Sequence, residues 1–170
     1  LIFTNSFPQE TELILSIENM EDECGNISGV IEYRFLYYVP QPFDVVVNEI
    51  MADPTPVVDL PEHEYVEIKN TTEFDIDLTG WKLKIGDNSD EFPSYTLDSS
   101  SYLILCDHGE GSNFDSYGNV IEIPYSYITD GGKSIEILDK EGVIIDSINF
   151  TKDWYQDPEK EDGGWSLERI

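Results

Sequence analysis

Apolar and polar residues alternate over short stretches along almost the whole chain, a pattern typical of half-buried β-strands. From Asp44 onward these stretches follow one another at intervals of roughly 8–12 residues, the spacing expected of a β-sandwich. No stretch has the periodicity of an amphipathic helix, so the sequence predicts an all-β fold. The predicted strands are Val45–Ala52, Glu64–Lys69, Trp81–Ile85, Tyr102–Leu105, Val120–Ile123, Ser134–Leu138, Ile144–Ile148 and Trp165–Arg169. The clearest hairpin turn is Asp139-Lys140-Glu141-Gly142, between the sixth and seventh of them.

Two further alternating stretches, TELILSIEN and GVIEYRFLYYV, precede this set and flank a turn signal at Gly25-Asn26. They end at Pro40-Gln41-Pro42, a stiff linker. Two strands do not form a stable sandwich by themselves. We therefore divide the chain into residues 1–43, a hairpin with its linker, and residues 44–170, a complete sandwich.

Strand alternation also predicts which side chains fill the core. Tyr65 and Glu67 are expected on the face of their strand opposite to this core. Trp165 is expected to anchor the end of the chain as Trp81 anchors its own strand, whereas Trp154 lies in a polar loop and is expected to be exposed. The predicted core comprises Val47 or its neighbours, Val66, Ile68, Trp81, Leu83, Ile104, Ile135, Ile137 and Ile145.

The charge of the chain narrows the range of partners. Thirty-six acidic residues stand against nine basic ones, which gives a net charge of −27. Such a surface repels phosphate backbones and anionic headgroups, so a nucleic-acid partner is excluded and basic proteins or divalent cations are favoured. No apolar run approaches the ~20 residues of a membrane span, so no membrane insertion is expected in this part of the protein.

The two cysteines, Cys24 and Cys106, lie far apart and have no CxxC spacing. Cys106 ends the apolar run YLILC and is expected in the core. Two free thiols are the favoured interpretation, and a bridge between them stays an alternative.

No constellation in the sequence supports catalysis. His63 and His108 are the only histidines, too few for a histidine-rich metal centre, and no nucleophile or phosphate-binding motif is present. We predict no enzymatic activity, no catalytic residue and no cofactor.

Acidic loops offer one candidate metal site. Asp53, Asp59, Glu62 and Glu64 lie in or beside a loop that three prolines stiffen, and their oxygens suit Ca²⁺. Alternatively the loop is purely structural, with Asp53 capping a turn and Glu64 accepting backbone N–H groups. A second acidic loop, from Asp107 to Asp115, contains two glycines and is expected to be a flexible connection.

Several separated motifs resemble one family. They are NEIMADP with the later EYVEIKN, the strand opened by GW in TGWKLKIG, the segment ITDGGKSIEILDKEGVIIDSINF and the closing GGWSLERI. Together they resemble the lamin tail domain, in its bacterial branch. The resemblance implies an Ig-like β-sandwich of the lamin-tail type, a module that binds another molecule or acts as a spacer. Residues 1–43 resemble the last hairpin of a preceding Ig-like domain.

The resemblance also implies a function. We expect a non-catalytic adhesion, spacer or protein-interaction module of a secreted or surface-anchored bacterial protein, located outside the cell or in its envelope. The expected partner is a protein or a surface glycan. The alternative is a Ca²⁺-stabilised module that binds a glycan or protein and accompanies an enzyme on the same chain. We expect the chain to be a piece of a longer protein.

Overall fold

The computed structural model describes residues 7–124 and 128–170. The chain divides into two compact units, one ending at Val39 and the other spanning Pro40–Ile170. In the smaller unit, strand β1 (Glu12–Ile17) pairs antiparallel with β2 (Ile31–Leu36). These are the two strands that the alternating stretches predict. The boundary between a hairpin segment and a sandwich at residue 43 stays a prediction, three residues from the start of the larger unit.

The predicted turn of the hairpin segment is confirmed. Gly25 has φ +83°, a left-handed conformation that favours glycine. One carboxylate oxygen of Asp22 accepts the backbone N–H groups of Cys24 and Asn26, both at 2.9 Å. The Asn26 amide donates to the other oxygen, and these bonds lower the pKa of Asp22. The hydrogen bonds to Asp22 therefore stabilise this turn.

The larger unit is a β-sandwich. Its five-stranded sheet has the order β10-β9-β4-β3-β13, its four-stranded sheet has the order β12-β11-β6-β7, and β5 pairs with β8. All eight predicted strands are present, with ends that differ by a few residues, whereas β5, β7 and β8 escaped prediction. The strands are β3 (Val45–Met51), β4 (Tyr65–Asn70), β5 (Ile76–Asp77), β6 (Lys82–Ile85), β7 (Asn88–Glu91), β8 (Thr96–Leu97), β9 (Tyr102–Cys106), β10 (Val120–Glu122), β11 (Gly132–Leu138), β12 (Ile144–Thr151) and β13 (Leu167–Glu168).

Among residues 7–124 and 128–170, three short helical segments lie in the connections. They are the 3-10 helices Gly111–Asn113 and Lys152–Tyr155 and the single-turn helix α1 (Pro158–Glu161). The predicted hairpin between β11 and β12 is confirmed, because the Asp139 carboxylate accepts the N–H groups of Glu141 and Val143.

Every residue of the predicted core is buried. Val66 and Ile68 lie opposite Leu105 and Leu103 of the neighbouring strand, so these pairs share the inner face of their sheet. The other face of the five-stranded sheet, called here the outer face, carries Tyr65 and Glu67, as alternation predicts. At one end of that face a second apolar cluster also buries side chains: Met51, Tyr65, Ile104, Cys106 and Phe114, with Leu60 and Val120 packed against them. Cys106 is buried as expected, and Cys106 and Cys24 are both free thiols.

The prediction for Trp165 was wrong, whereas those for Trp81 and Trp154 are confirmed. Trp81 is 2% exposed, Trp154 is 50% exposed and Trp165 is 41% exposed. The close packing at this end of the chain comes instead from Gly163 and Gly164, which contact the loop after Asp53. A Cβ at either glycine would collide with a backbone carbonyl oxygen of that loop. The Trp165 ring lies at the surface, 5.1 Å from the Lys160 ammonium.

A buried ion pair joins the two sheets. The Asp146 side chain on β12 is 1% exposed and accepts from the Arg169 guanidinium at 2.7 Å and from the Val47 backbone N–H at 2.9 Å. Arg169 also donates to the Val47 carbonyl at 2.9 Å. Arg169 therefore binds the segment after β13 to both β3 and β12.

Candidate functional site

Of the four predicted Ca²⁺ ligands, Asp53 and Glu64 have carboxylates engaged with the protein. One Asp53 oxygen accepts the backbone N–H and the hydroxyl of Thr55, at 3.1 and 3.2 Å. Glu64 accepts the Ile128 N–H at 2.7 Å, and burial raises the pKa of Glu64. These are the contacts expected if the loop is structural.

The other two, Asp59 and Glu62, have exposed side chains. Within residues 7–124 and 128–170, no three His, Cys, Asp or Glu side chains lie together in a way that could hold a metal ion. Ca²⁺ binding by the four predicted ligands therefore stays a prediction, and no cluster of metal-binding side chains among the described residues supports it.

Three glutamates occupy directly opposed positions on the outer face of the five-stranded sheet. Glu49 on β3 lies directly opposite Glu67 on β4 and opposite Glu168 on β13. An irregularity in the register between Val47 and Glu49 produces this alignment. We call Glu168, Glu49 and Glu67 the carboxylate row. Like charges placed opposite each other on neighbouring strands destabilise a sheet, so this row is unfavourable for the isolated domain.

The carboxylate row has little cationic compensation: the charge of Lys69 on β4 lowers the pKa of Glu67, but by less than Glu49 or Glu168 raises it. Among residues 7–124 and 128–170, no lysine or arginine forms an ion pair with any of its members. Arg169 follows Glu168 in the chain, but its guanidinium is held by Asp146. Neutral donors partly compensate: the Tyr65 hydroxyl donates to Glu49 at 2.7 Å, and the Asn48 amide donates to Glu67 at 2.8 Å.

These surroundings shift the pKa values of Glu67 and Tyr65. Burial raises the pKa of Glu67, and the charges of Glu49 and Glu168 raise it further against the opposing effects of the Asn48 bond and the Lys69 charge. Burial and the Glu49 carboxylate also raise the pKa of Tyr65, so its hydroxyl stays protonated and acts as a donor. The row is thus a site where an added positive charge is favourable.

A cavity of about 210 Å³ adjoins two members of the row. We call it the outer-face cavity. Phe114 and Tyr65 meet edge to face in its wall, with ring centroids 5.4 Å apart. Tyr117 is half exposed at the cavity, and its hydroxyl donates to the Asp59 carbonyl at 3.3 Å. The lining residues are Glu49, Leu60, Pro61, Tyr65, Glu67, Ile104, Phe114 and Tyr117.

The loop that brings Phe114 here was expected to be a flexible connection, and the structure gives it several contacts with its surroundings. Glu122 accepts the Gly111 N–H at 2.9 Å, and bonds from the backbone of Gly109 and Gly111 lower the pKa of Glu122. Oε2 of Glu110, in this loop, lies 2.9 Å from Nδ1 of His63. Phe114 is 1% exposed, so the loop is a packed cover over this end of the sheet.

A larger cavity of about 500 Å³ lies where β3, β12 and β13 approach each other. Its lining is mostly apolar, with Val47, Ile50, Ile148 and Leu167, and Trp154 stands beside them. Asn48, Gln156, Glu168 and Arg169 supply its polar groups. Sequence analysis identified neither cavity, because each needs a strand register and loop positions that the residue pattern does not give.

The comparison with protein families matches residues 39–152 to the Lamin Tail Domain. The chain belongs to this family. Lamin tail domains are non-catalytic Ig-like β-sandwiches, which agrees with the fold described above and confirms the resemblance seen in the sequence.

The match includes Glu49, Glu67 and the wall of the outer-face cavity, whereas Glu168 lies beyond it. The closing GGWSLERI also lies beyond the match, so its resemblance to the family stays a prediction. The comparison with curated proteins found no match. Among the described residues, no helix is long and apolar enough to cross a membrane.

Proposed function

We propose that this lamin tail domain is a non-catalytic protein-interaction module that binds a basic protein through the outer face of its five-stranded sheet. The carboxylate row carries this proposal. Three glutamates face one another across three strands, and none of them forms an ion pair with a lysine or arginine among the described residues. A partner's lysine or arginine would therefore relieve a repulsion that exists in the free domain.

The charge of the whole chain supports the same partner. A net charge of −27 attracts basic surfaces over long distances and speeds their encounter, while it repels nucleic acids and anionic lipids. Long-range attraction explains the rate of encounter, and the row supplies the local contacts that give a complex its orientation.

The biological setting is part of the proposal. The module would act as an adhesive or spacing element in a secreted or surface-anchored bacterial protein, in the cell envelope or outside the cell. Its Ig-like fold and strongly acidic surface suit such a role. In that setting the partner is a basic surface protein, and an acidic glycan is disfavoured by charge. We keep as the alternative a Ca²⁺-stabilised binding module that accompanies an enzyme on the same chain.

A peptide-binding assay tests the proposal. The probe is a fluorescent peptide of alternating arginine and serine, measured by anisotropy at physiological ionic strength beside a peptide of alternating glutamate and serine. Only the basic peptide should bind. The double variant Glu49→Gln/Glu168→Gln should weaken binding about tenfold, because two charge contacts are lost at roughly 0.5–1 kcal/mol each.

The matched control is Glu91→Gln/Glu141→Gln, which removes the same charge from exposed positions on β7 and on the hairpin turn after β11. We expect this control to change affinity less than about twofold, by weaker long-range attraction alone. Equal losses in the two double variants would show that the acidic surface acts only as a diffuse field, and the outer face would no longer be the proposed site.

A further inference from the structure

We propose that the outer-face cavity binds one basic side chain of the partner, a lysine or an arginine. This inference rests on the proposed function and specifies the contact at its centre. The cavity combines two half-buried carboxylates with aromatic walls, and this combination is complementary to an ammonium or guanidinium group with an apolar stem.

The size of the cavity indicates a single side chain. Its volume of about 210 Å³ is below the roughly 300–1,000 Å³ typical of pockets for drug-sized ligands. Leu60, Pro61 and Ile104 provide apolar surface for the methylene groups of a long side chain. Such a side chain would bury its stem against them and place its charge next to the carboxylates.

The carboxylates have acceptor capacity left for this charge. Tyr65 and Asn48 each bond to Oε1 of their glutamate, Glu49 and Glu67 respectively. Oε2 of each glutamate has no hydrogen-bond partner among residues 7–124 and 128–170. A bound cation would therefore add charge-assisted bonds without displacing the donors that hold the two side chains in place.

The aromatic walls add attraction for a cation. Tyr65, Phe114 and Tyr117 line the same small volume, and a cation near an aromatic face is stabilised further when water is excluded. The larger unit shows this contact elsewhere: Lys69 lies 4.8 Å from the centre of the Tyr102 ring on the same sheet. The cavity offers a partner's side chain a similar contact with carboxylates beside it.

Single-residue probes test the inference. Four Gly/Ser peptides differ only in their central residue, which is arginine, lysine, citrulline or norleucine, and each is titrated into the full chain labelled with ¹⁵N. The arginine and lysine peptides should shift the amide signals of Glu67, Ile104 and Phe114. Citrulline has nearly the shape of arginine without its charge, and norleucine has the stem of lysine, so both should bind at least about tenfold more weakly.

Two variants locate the contact. Glu67→Gln should weaken arginine-peptide binding about tenfold, and Tyr117→Ala about fivefold. Glu141→Gln is the charge-matched control, and Tyr102→Ala removes a similarly exposed tyrosine from β9 of the five-stranded sheet. Neither control should change affinity more than about twofold.

The inference and the function can fail separately. If Glu49→Gln/Glu168→Gln weakens binding of the alternating arginine–serine peptide but Glu67→Gln and Tyr117→Ala behave like their controls, the cavity is not the contact and the proposed function stands. Equal binding of the citrulline and arginine peptides would also overturn the inference. If no basic peptide binds, the proposed function fails and the inference fails with it.

Discussion

The Glu67 carboxylate lowers the stability of the domain and, in the proposed function, binds the partner's cation. This carboxylate is partly removed from water and lies opposite Glu49, and the amide bond from Asn48 and the charge of Lys69 offset these effects in part. A domain that needed only stability would gain from an uncharged residue here. We therefore expect stability and binding to respond in opposite directions when Glu67 changes.

Glu67→Gln should stabilise the domain at neutral pH by roughly 0.5–1 kcal/mol, a figure already reduced for solvent screening. The pKa of Glu67 is raised in the folded state, so the folded protein binds this proton more readily than the unfolded chain does. The wild type thus recovers the lost stability as the pH falls through the folded pKa, and the recovery is complete below the ordinary value of 4.5. Urea unfolding across this pH range should show the advantage of the variant disappearing.

Glu141→Gln serves as the control for this effect, since it removes the same charge from an exposed turn. It should give a smaller gain at neutral pH. A Glu67→Gln variant less stable than the wild type at neutral pH would mean that the Asn48 bond outweighs burial and repulsion.

Trp81→Ala should destabilise the domain by about 3–5 kcal/mol, the cost of removing a large core aromatic. Trp81 is 2% exposed and opens the strand that pairs with β11 and β7. Trp154→Ala, at a half-exposed position, should change stability by less than about 0.5 kcal/mol. Thermal unfolding compares the two, and similar melting temperatures for both variants would show that Trp81 is not an anchor.

At the level of elements, strand positions follow from the residue pattern and strand register does not. Alternation located β3 and β4 and assigned Val66 and Glu67 to opposite faces, because side-chain direction is a local property. The alignment of Glu49 with Glu67 depends on the irregularity beside Asn48, which forms between two strands. The sequence therefore shows each glutamate of the carboxylate row but does not predict that they lie opposite one another.

The Asp146–Arg169 pair was missed for the same reason, since its partners are distant in the chain and meet only when the sheets stack. Arg169→Met should destabilise the domain by about 3 kcal/mol, near the lower end for a broken buried pair because Arg169 is itself partly exposed. The loss leaves the Asp146 carboxylate buried without its cation. Chemical unfolding measures the effect.

The double variant Asp146→Leu/Arg169→Met should recover much of that loss, because no buried charge remains unpaired. A double variant as unstable as the sum of the two single changes would mean that the bonds to the Val47 backbone, rather than charge, make the pair important.

At the level of the whole molecule, net charge governs the response to ions. A charge of −27 on one chain produces self-repulsion, so added salt should raise the melting temperature. We expect Ca²⁺ to raise it no more than a monovalent salt of equal ionic strength, because Asp53 and Glu64 already have protein partners. An excess effect of Ca²⁺ that Glu64→Gln abolishes would instead establish the alternative calcium site.

The last prediction concerns the division of the chain into two units. Deleting residues 1–39 should leave a folded domain, because Pro40–Ile170 contains both sheets of the sandwich and its own buried core. The new first residues keep contacts within this unit: Phe43 donates its N–H to the Ile145 carbonyl at 2.8 Å, and the Thr71 hydroxyl donates to the Phe43 carbonyl at 2.8 Å. The shortened chain should unfold cooperatively in urea and bind the basic peptide with the affinity of the full chain. An unfolded product would show that the hairpin of β1 and β2 is an integral part of the sandwich, and a folded product without peptide binding would place part of the binding surface on the hairpin.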